Sequence, residues 1–178
     1  NIQSIIYKYP QTPVVQLGGG HDHIFPLLKS IHETMPNKSL NIINLDAHLD
    51  TRKDASPHSG TPFRQFSRFS KKRFNLHQIC IQKESNAKEN FQQLQNCTMR
   101  IHYIENSINI LNNLISDSIV LSKDWINILS IDLDVMDSNI FKSCSAINPS
   151  GLNFEQLDQS IKTYQDKISH QEFIGFYE

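Results

Sequence analysis

Apolar residues along the chain fall into six short, nearly continuous runs, separated by longer stretches in which they recur at helical spacing. The runs are PVVQLGGG (13–20), LNIINLDAH (40–48), NLHQICIQ (75–82), MRIHYI (99–104), WINILSIDLDV (125–135) and EFIGFYE (172–178), and each has the length of a strand. After the first run, Ile24, Leu27, Leu28 and Ile31 share one helix face, with Pro26 in the first turns and Pro36 as a stop, which predicts a helix over 21–35. Further helices are predicted over 62–71, 87–95, 108–121 and 154–168. Strands that are apolar almost throughout are covered on both faces, the mark of a parallel sheet between helical layers. The expectation is therefore one α/β domain over 1–178, three layers deep, built on a mainly parallel sheet. There is no internal repeat, low-complexity segment or linker. The chain stops inside the last run and begins with Asn1, so both ends are expected to be cut.

Composition removes several classes of function. Hydrophobic residues at 38% and charged residues at 20% describe an ordinary globular chain. A net charge of −1 argues against nucleic acid or an anionic membrane as partner. The basic run from Arg68 to Arg73 reads as a solvated helix face. No apolar stretch approaches the ~20 residues that span a bilayer, and no secretory signal is visible at the start. Cys80, Cys97 and Cys144 are widely spaced and form no C-x-x-C pair, so reduced thiols in the cytoplasm are expected, with Cys80 in the core.

The candidate chemistry lies in three clusters: GGGHDH (18–23), LDAHLD (45–50) and IDLDVMD (131–137). Each follows an apolar strand, and in parallel α/β sheets ligands gather at the carboxyl edge of the strands. Asp46, His48 and Asp50 are spaced by two, as are Asp132 and Asp134, so in extended backbone each set points to one side. Carboxylates crowded onto a buried strand end repel one another and lose solvation. The motifs hold almost no Lys or Arg, so a divalent metal is the economical counter-charge. Six ligands (His21, Asp46, His48, Asp50, Asp132 and Asp134), some able to bridge, suggest two ions. Oxygen donors with two imidazoles and no thiolate favour Mn(II) over structural zinc. Asp137 fits a turn better than a metal. His23, His32, His77, His102 and His170 have no clustered partners and read as surface or satisfied core groups.

GGGHD, DAHLD and SIDLDVMD resemble, in order, the three metal-binding signatures of the arginase (ureohydrolase) superfamily. The resemblance covers essentially the whole chain and implies an arginase-like fold holding two Mn(2+) ions per subunit. One ion would be held by His21, Asp46, Asp50 and Asp132, the other by Asp46, His48, Asp132 and Asp134, with Asp46 and Asp132 bridging. It also implies a glutamate after the last strand that engages the substrate's amidine or guanidine group, a position occupied here by Glu178. Within the superfamily, HSGTPFRQ (58–65) and SCSAINPSGL (143–152) look most like formimidoylglutamases. The histidine that arginases and agmatinases carry near the place of Phe63 is absent, and Ile147 stands where a proline is expected. The implied reaction is hydrolysis of N-formimidoyl-L-glutamate to L-glutamate and formamide in histidine degradation. Asp50 would carry the proton, and Arg64 would meet a substrate carboxylate. The family's members are commonly multimers, which opens a homo-oligomer to this chain.

Three other readings compete. A ureohydrolase acting on a guanidino substrate would release urea instead of formamide. A metal-bound but inactive domain would keep the ligands without turnover. A two-metal phosphoesterase would call for more phosphate-facing Lys or Arg than these motifs supply.

Overall fold

A computed structural model of the chain describes residues 2–144, 146–168 and 172–178; Ser145 of the SCSAINPSGL segment and His170 lie outside them. Six strands form one sheet: β1 (Val14–Leu17), β2 (Ser39–Leu45), β3 (Phe74–Ile81), β4 (Cys97–Tyr103), β5 (Trp125–Asp132) and β6 (Phe173–Tyr177). Their order is β1-β6-β5-β2-β3-β4, and every pair is parallel. Helices α1 (Ile2–Lys8), α2 (Ile24–Thr34) and α3 (Pro62–Phe69) cover one face, and α4 (Ile104–Ser107), α5 (Leu111–Ser118) and α6 (Phe154–Lys167) cover the other.

Alternation along the strands divides the core between the faces. Leu40 and Ile42 of β2, Leu76 of β3 and Ile128 of β5 pack with Leu27, Leu28 and Phe66 of the first helical layer. Ile43, Leu45, Leu129 and Ile131 pack with Ile115, Leu157 and Tyr164 of the second. The helix α2 stripe is fully buried at Ile24, Leu27, Leu28 and Ile31, each contributing about 1.5–3 kcal/mol of apolar transfer energy.

Because all strands run the same way, their carboxyl ends share one edge. The chain goes outward from β2 to β3 and β4, then crosses back to β5 and β6, so the winding reverses between β2 and β5. There Leu45 pairs with Ile131, and the chain leaves both strands side by side. A reversal of this kind opens the crevice in which open α/β sheets bind ligands.

Two expectations need correction, and one element was not expected. The helix predicted over 87–95 is a single 3₁₀ turn, Lys88–Phe91, flanked by extended Ala87 and Gln92; the Asn90 carbonyl is turned to the Thr51 hydroxyl, 2.6 Å away. The helix predicted over 108–121 opens as a 3₁₀ turn and ends at Ser118. Asn41 Nδ2 donates to the Ser118 carbonyl, and the Asn127 amide pairs with both backbone groups of Val120. Helix α1 was not foreshadowed by the pattern, since only Ile6 of its seven residues is buried.

Candidate metal centre

Each cluster leaves its strand through a distinct local device. After β1, Gly18 and Gly19 adopt φ of 90° and 78°, and a Cβ at Gly19 would lie 2.5 Å from His23 Nδ1, so this left-handed, crowded turn suits glycine. The turn delivers His21, fully buried, at the head of α2. After β2, the 46–50 loop ends on Asp50 at φ 51°, a region that Asp tolerates better than most residues. After β5, Asp132 Oδ1 accepts the Asp134 amide at 3.1 Å and starts a 3₁₀ turn.

These segments bring the six expected ligands together. His21 Nδ1 lies 2.7 Å from Asp50 Oδ2, 3.1 Å from Asp46 Oδ2 and 3.3 Å from Asp132 Oδ2. His48 Nδ1 lies 2.7 Å from Asp134 Oδ2 and 3.8 Å from Asp46 Oδ1. Two groups result, His21–Asp46–Asp50–Asp132 and Asp46–His48–Asp134, each with ligand atoms within 4.8 Å of one another and with Asp46 common to both. Asp132, expected in both sets, stands in the first alone.

The electrostatics ask for a cation. Four carboxylates, none more than 7% exposed, face two imidazoles, and among the described residues their ion pairs involve only His21 and His48. Burial alone would lower the His21 pKa, but hydrogen bonds with Asp46 and Asp50 hold it well above the usual imidazole value. Burial, reinforced by the Asp50 and Asp134 charges, raises Asp46 well above the carboxylate range. Burial lifts Asp132 to about 6 against the pull of His21. The hydrogen bond with Asp134 raises His48 to about 9; for Asp134 the upward push of burial is outweighed by that same bond, and its pKa is lowered. Four buried carboxylates whose ion pairs among the described residues are with His21 and His48 alone fit a divalent ion, and this donor set of carboxylates and imidazoles suits Mn(II).

The other expected residues stand at different depths. The Glu178 amide donates to the Gly19 carbonyl, which puts this exposed residue beside the GGGHD turn. Phe63, fully buried, meets the His21 ring edge-on at 5.6 Å. Arg64 is 8% exposed; its Nε donates to the Thr51 carbonyl at 2.6 Å and its Nη2 is buried without a partner, so it sits behind the Asp50 loop. Asp137 Oδ1 accepts the Asn139 amide and closes a turn. His77 is buried, His32 lies against Phe66 and Phe69, and His23 faces Asp22.

Sequence reasoning passed over the layer beneath the ligands. His21 Nε2 lies 2.9 Å from Ser130 Oγ, and Tyr177 stacks on the same ring at 5.2 Å. Asn86 accepts the Leu49 amide and donates to the Ala47 carbonyl. Asn148 donates to the Asp134 carbonyl and accepts from Gln82. Asn44 and Gln78 are buried in β2 and β3. Their signal was a polar residue inside an apolar strand, as Asn44 and Ser130 show.

The chain belongs to the arginase family, whose profile matches residues 2–175. A formimidoylglutamase from Photorhabdus laumondii is 32% identical over 155 residues, covering 82% of this chain and 48% of that protein. The crystal structure of formimidoylglutamase from Bacillus subtilis superposes with a TM-score of 0.85 at 25% identity, over 99% of this chain and 56% of that one. A Trypanosoma cruzi formiminoglutamase solved with Mn2+ gives 0.75 at 21% identity, over 99% and 61%. The fold is thus arginase-like, and the chain spans about half the length of the curated relatives it matches. No helix among the described residues is long and apolar enough to cross a membrane.

Proposed function

We propose that this chain carries the binuclear manganese centre of a formimidoylglutamase-type hydrolase, which cleaves a C–N bond of a linear amidine. The substrate is N-formimidoyl-L-glutamate and the products are L-glutamate and formamide, a step of histidine degradation in the cytoplasm. The observation that carries this reading is Asp46, a single buried carboxylate common to two ligand groups. The similarity to proteins named formimidoylglutamase supports the choice of substrate.

His21, Asp46, Asp50 and Asp132 would hold one ion. Asp46, His48 and Asp134 would hold the other, with Asp46 common to the two sets. When bound, such a pair supplies Lewis acidity, polarising the amidine and lowering the pKa of water. Asp50, at the end of its loop, takes a proton from the attacking water and returns it to the departing glutamate nitrogen. Glu178 pairs with the cationic amidine. Phe63 and Tyr177 wall the His21 side of the site with rings and exclude bulk water there.

The test is an assay of the manganese-loaded protein on N-formimidoyl-L-glutamate beside arginine and agmatine. Formamide release with no urea is the expected outcome. Urea release from a guanidino compound would contradict the substrate, and no turnover of any of them would favour an inactive metal-binding domain.

A further inference from the structure

One face of the sheet carries a transverse polar row just below the ligands. Strand register aligns Gln16, Gly175, Ser130, Asn44 and Gln78 across five strands. Two of these residues form a bridge. Asn44 Nδ2 donates to Gln78 Oε1 at 2.8 Å and to Asp46 Oδ2 at 3.1 Å. Gln78 Nε2 donates to the Leu49 carbonyl at 2.7 Å. The side chain of the first ligand in the 46–50 loop is thereby tied to the carbonyl directly before the last ligand, Asp50, through two amides that are fully buried.

Two details give the bridge a direction. Asn44 Oδ1 is buried with no hydrogen-bond partner, while both contacts of the amide use its nitrogen. Turning the amide over would set that oxygen against the Asp46 carboxylate, so the orientation is the one that serves Asp46. At the other end, Asp50 sits at φ 51°, a backbone state that persists when its surroundings restrain it. An apolar pair of similar volume would hold β2 to β3 equally well, so two buried amides at this place point to the loop above them.

We infer that Asn44 and Gln78 are positioning residues, an amide bridge that sets the separation of Asp46 and Asp50 for metal binding. The inference rests on the metal reading of the site given above. Outer-layer partners of metal ligands commonly alter metal affinity by roughly 10–100-fold, and the bridge should act in that range.

The experiment measures Mn(II) affinity and the electron paramagnetic resonance signal of bound Mn(II) for the unsubstituted protein, Gln78→Met, Asn44→Ser and the double variant. Melting without metal is followed in parallel. The expected result is a roughly 10–100-fold loss of affinity in each single variant, with a weakened signal from coupled ions, in variants that still melt cooperatively without metal at a temperature lowered by the stranded buried groups. The double variant should lose about as much as either single one, because the bridge acts as a unit. Where Gln78→Met does not fold, Asn44→Ser carries the same criteria. Loss of fold in both would make the bridge a determinant of the sheet and overturn its positioning role. Wild-type affinity in the folded variants would overturn the bridge alone, whereas absence of Mn(II) binding by the unsubstituted protein would remove the metal reading and the bridge with it.

Discussion

His48 Nδ1 lies 2.7 Å from Asp134 Oδ2, joining the loop after β2 to the turn after β5, and Asp134 Oδ1 also accepts the Ala47 amide at 3.2 Å. Asp134 therefore holds both a ligand and the backbone that carries it. An Asp134→Asn variant is expected to bind one manganese ion in place of two. Its turnover should fall by more than the roughly 10–100-fold typical of outer-layer changes. Metal content by elemental analysis, beside kcat, checks this.

Metal removal should cost stability. Without an ion, four buried carboxylates are balanced by two imidazoles at most, and a ligand that binds only the folded chain stabilises it by mass action. At a hundredfold excess over Kd that amounts to about 2.7 kcal/mol. Thermal melting should shift upward with Mn(II) and return with a chelator. A melting temperature indifferent to both would count against the site.

Acid sensitivity has a separate source in His77. This residue is 3% exposed, and its Nδ1 is buried without a hydrogen-bond partner. Burial, aided by the Arg100 and His102 charges, pushes its pKa down to about 4. The unfolded imidazole takes up a proton near its usual 6.5, the folded one only near 4, so its contribution is intact above that upper value. As pH falls from 6.5 towards 4 the unfolded state binds the proton first and stability is lost. A His77→Leu variant should show a flatter melting profile across that window; an unchanged slope would remove His77 as the cause.

Arg64 separates two roles. With Nε on the Thr51 carbonyl and Nη2 buried, an Arg64→Gln change should lower folding stability by about 1–3 kcal/mol, the usual cost of stranding buried polar groups. Denaturant titration reads it. A raised KM at unchanged stability would instead return Arg64 to the substrate carboxylate.

The most legible parts of the chain were those in which one physical demand dominates. The runs around Ile42 and Ile128 read as central parallel strands because burial on both faces leaves no polar alternation. His21, Asp46 and Asp132 read as a site because carboxylates at buried strand ends demand a counter-charge. Segments governed by tertiary hydrogen bonds were less legible. The spacing of Ala87, Phe91 and Leu94 looks helical, yet the Asn90 carbonyl is bound to Thr51, a contact that no local pattern shows. Asn44 and Gln78 were hidden for the same reason: their partners are one strand and one loop away. The depth of Arg64 followed from how α3 docks on the 50–61 loop, where Phe63 donates its amide to Asp50 and Arg52 to Gly60.

The most direct test of the centre is metal analysis of the manganese-loaded protein beside Asp132→Ala. Two ions per chain are predicted for the unsubstituted protein, with loss of metal and of turnover in the variant. Asp132→Ala retaining both ions and full turnover would contradict the account.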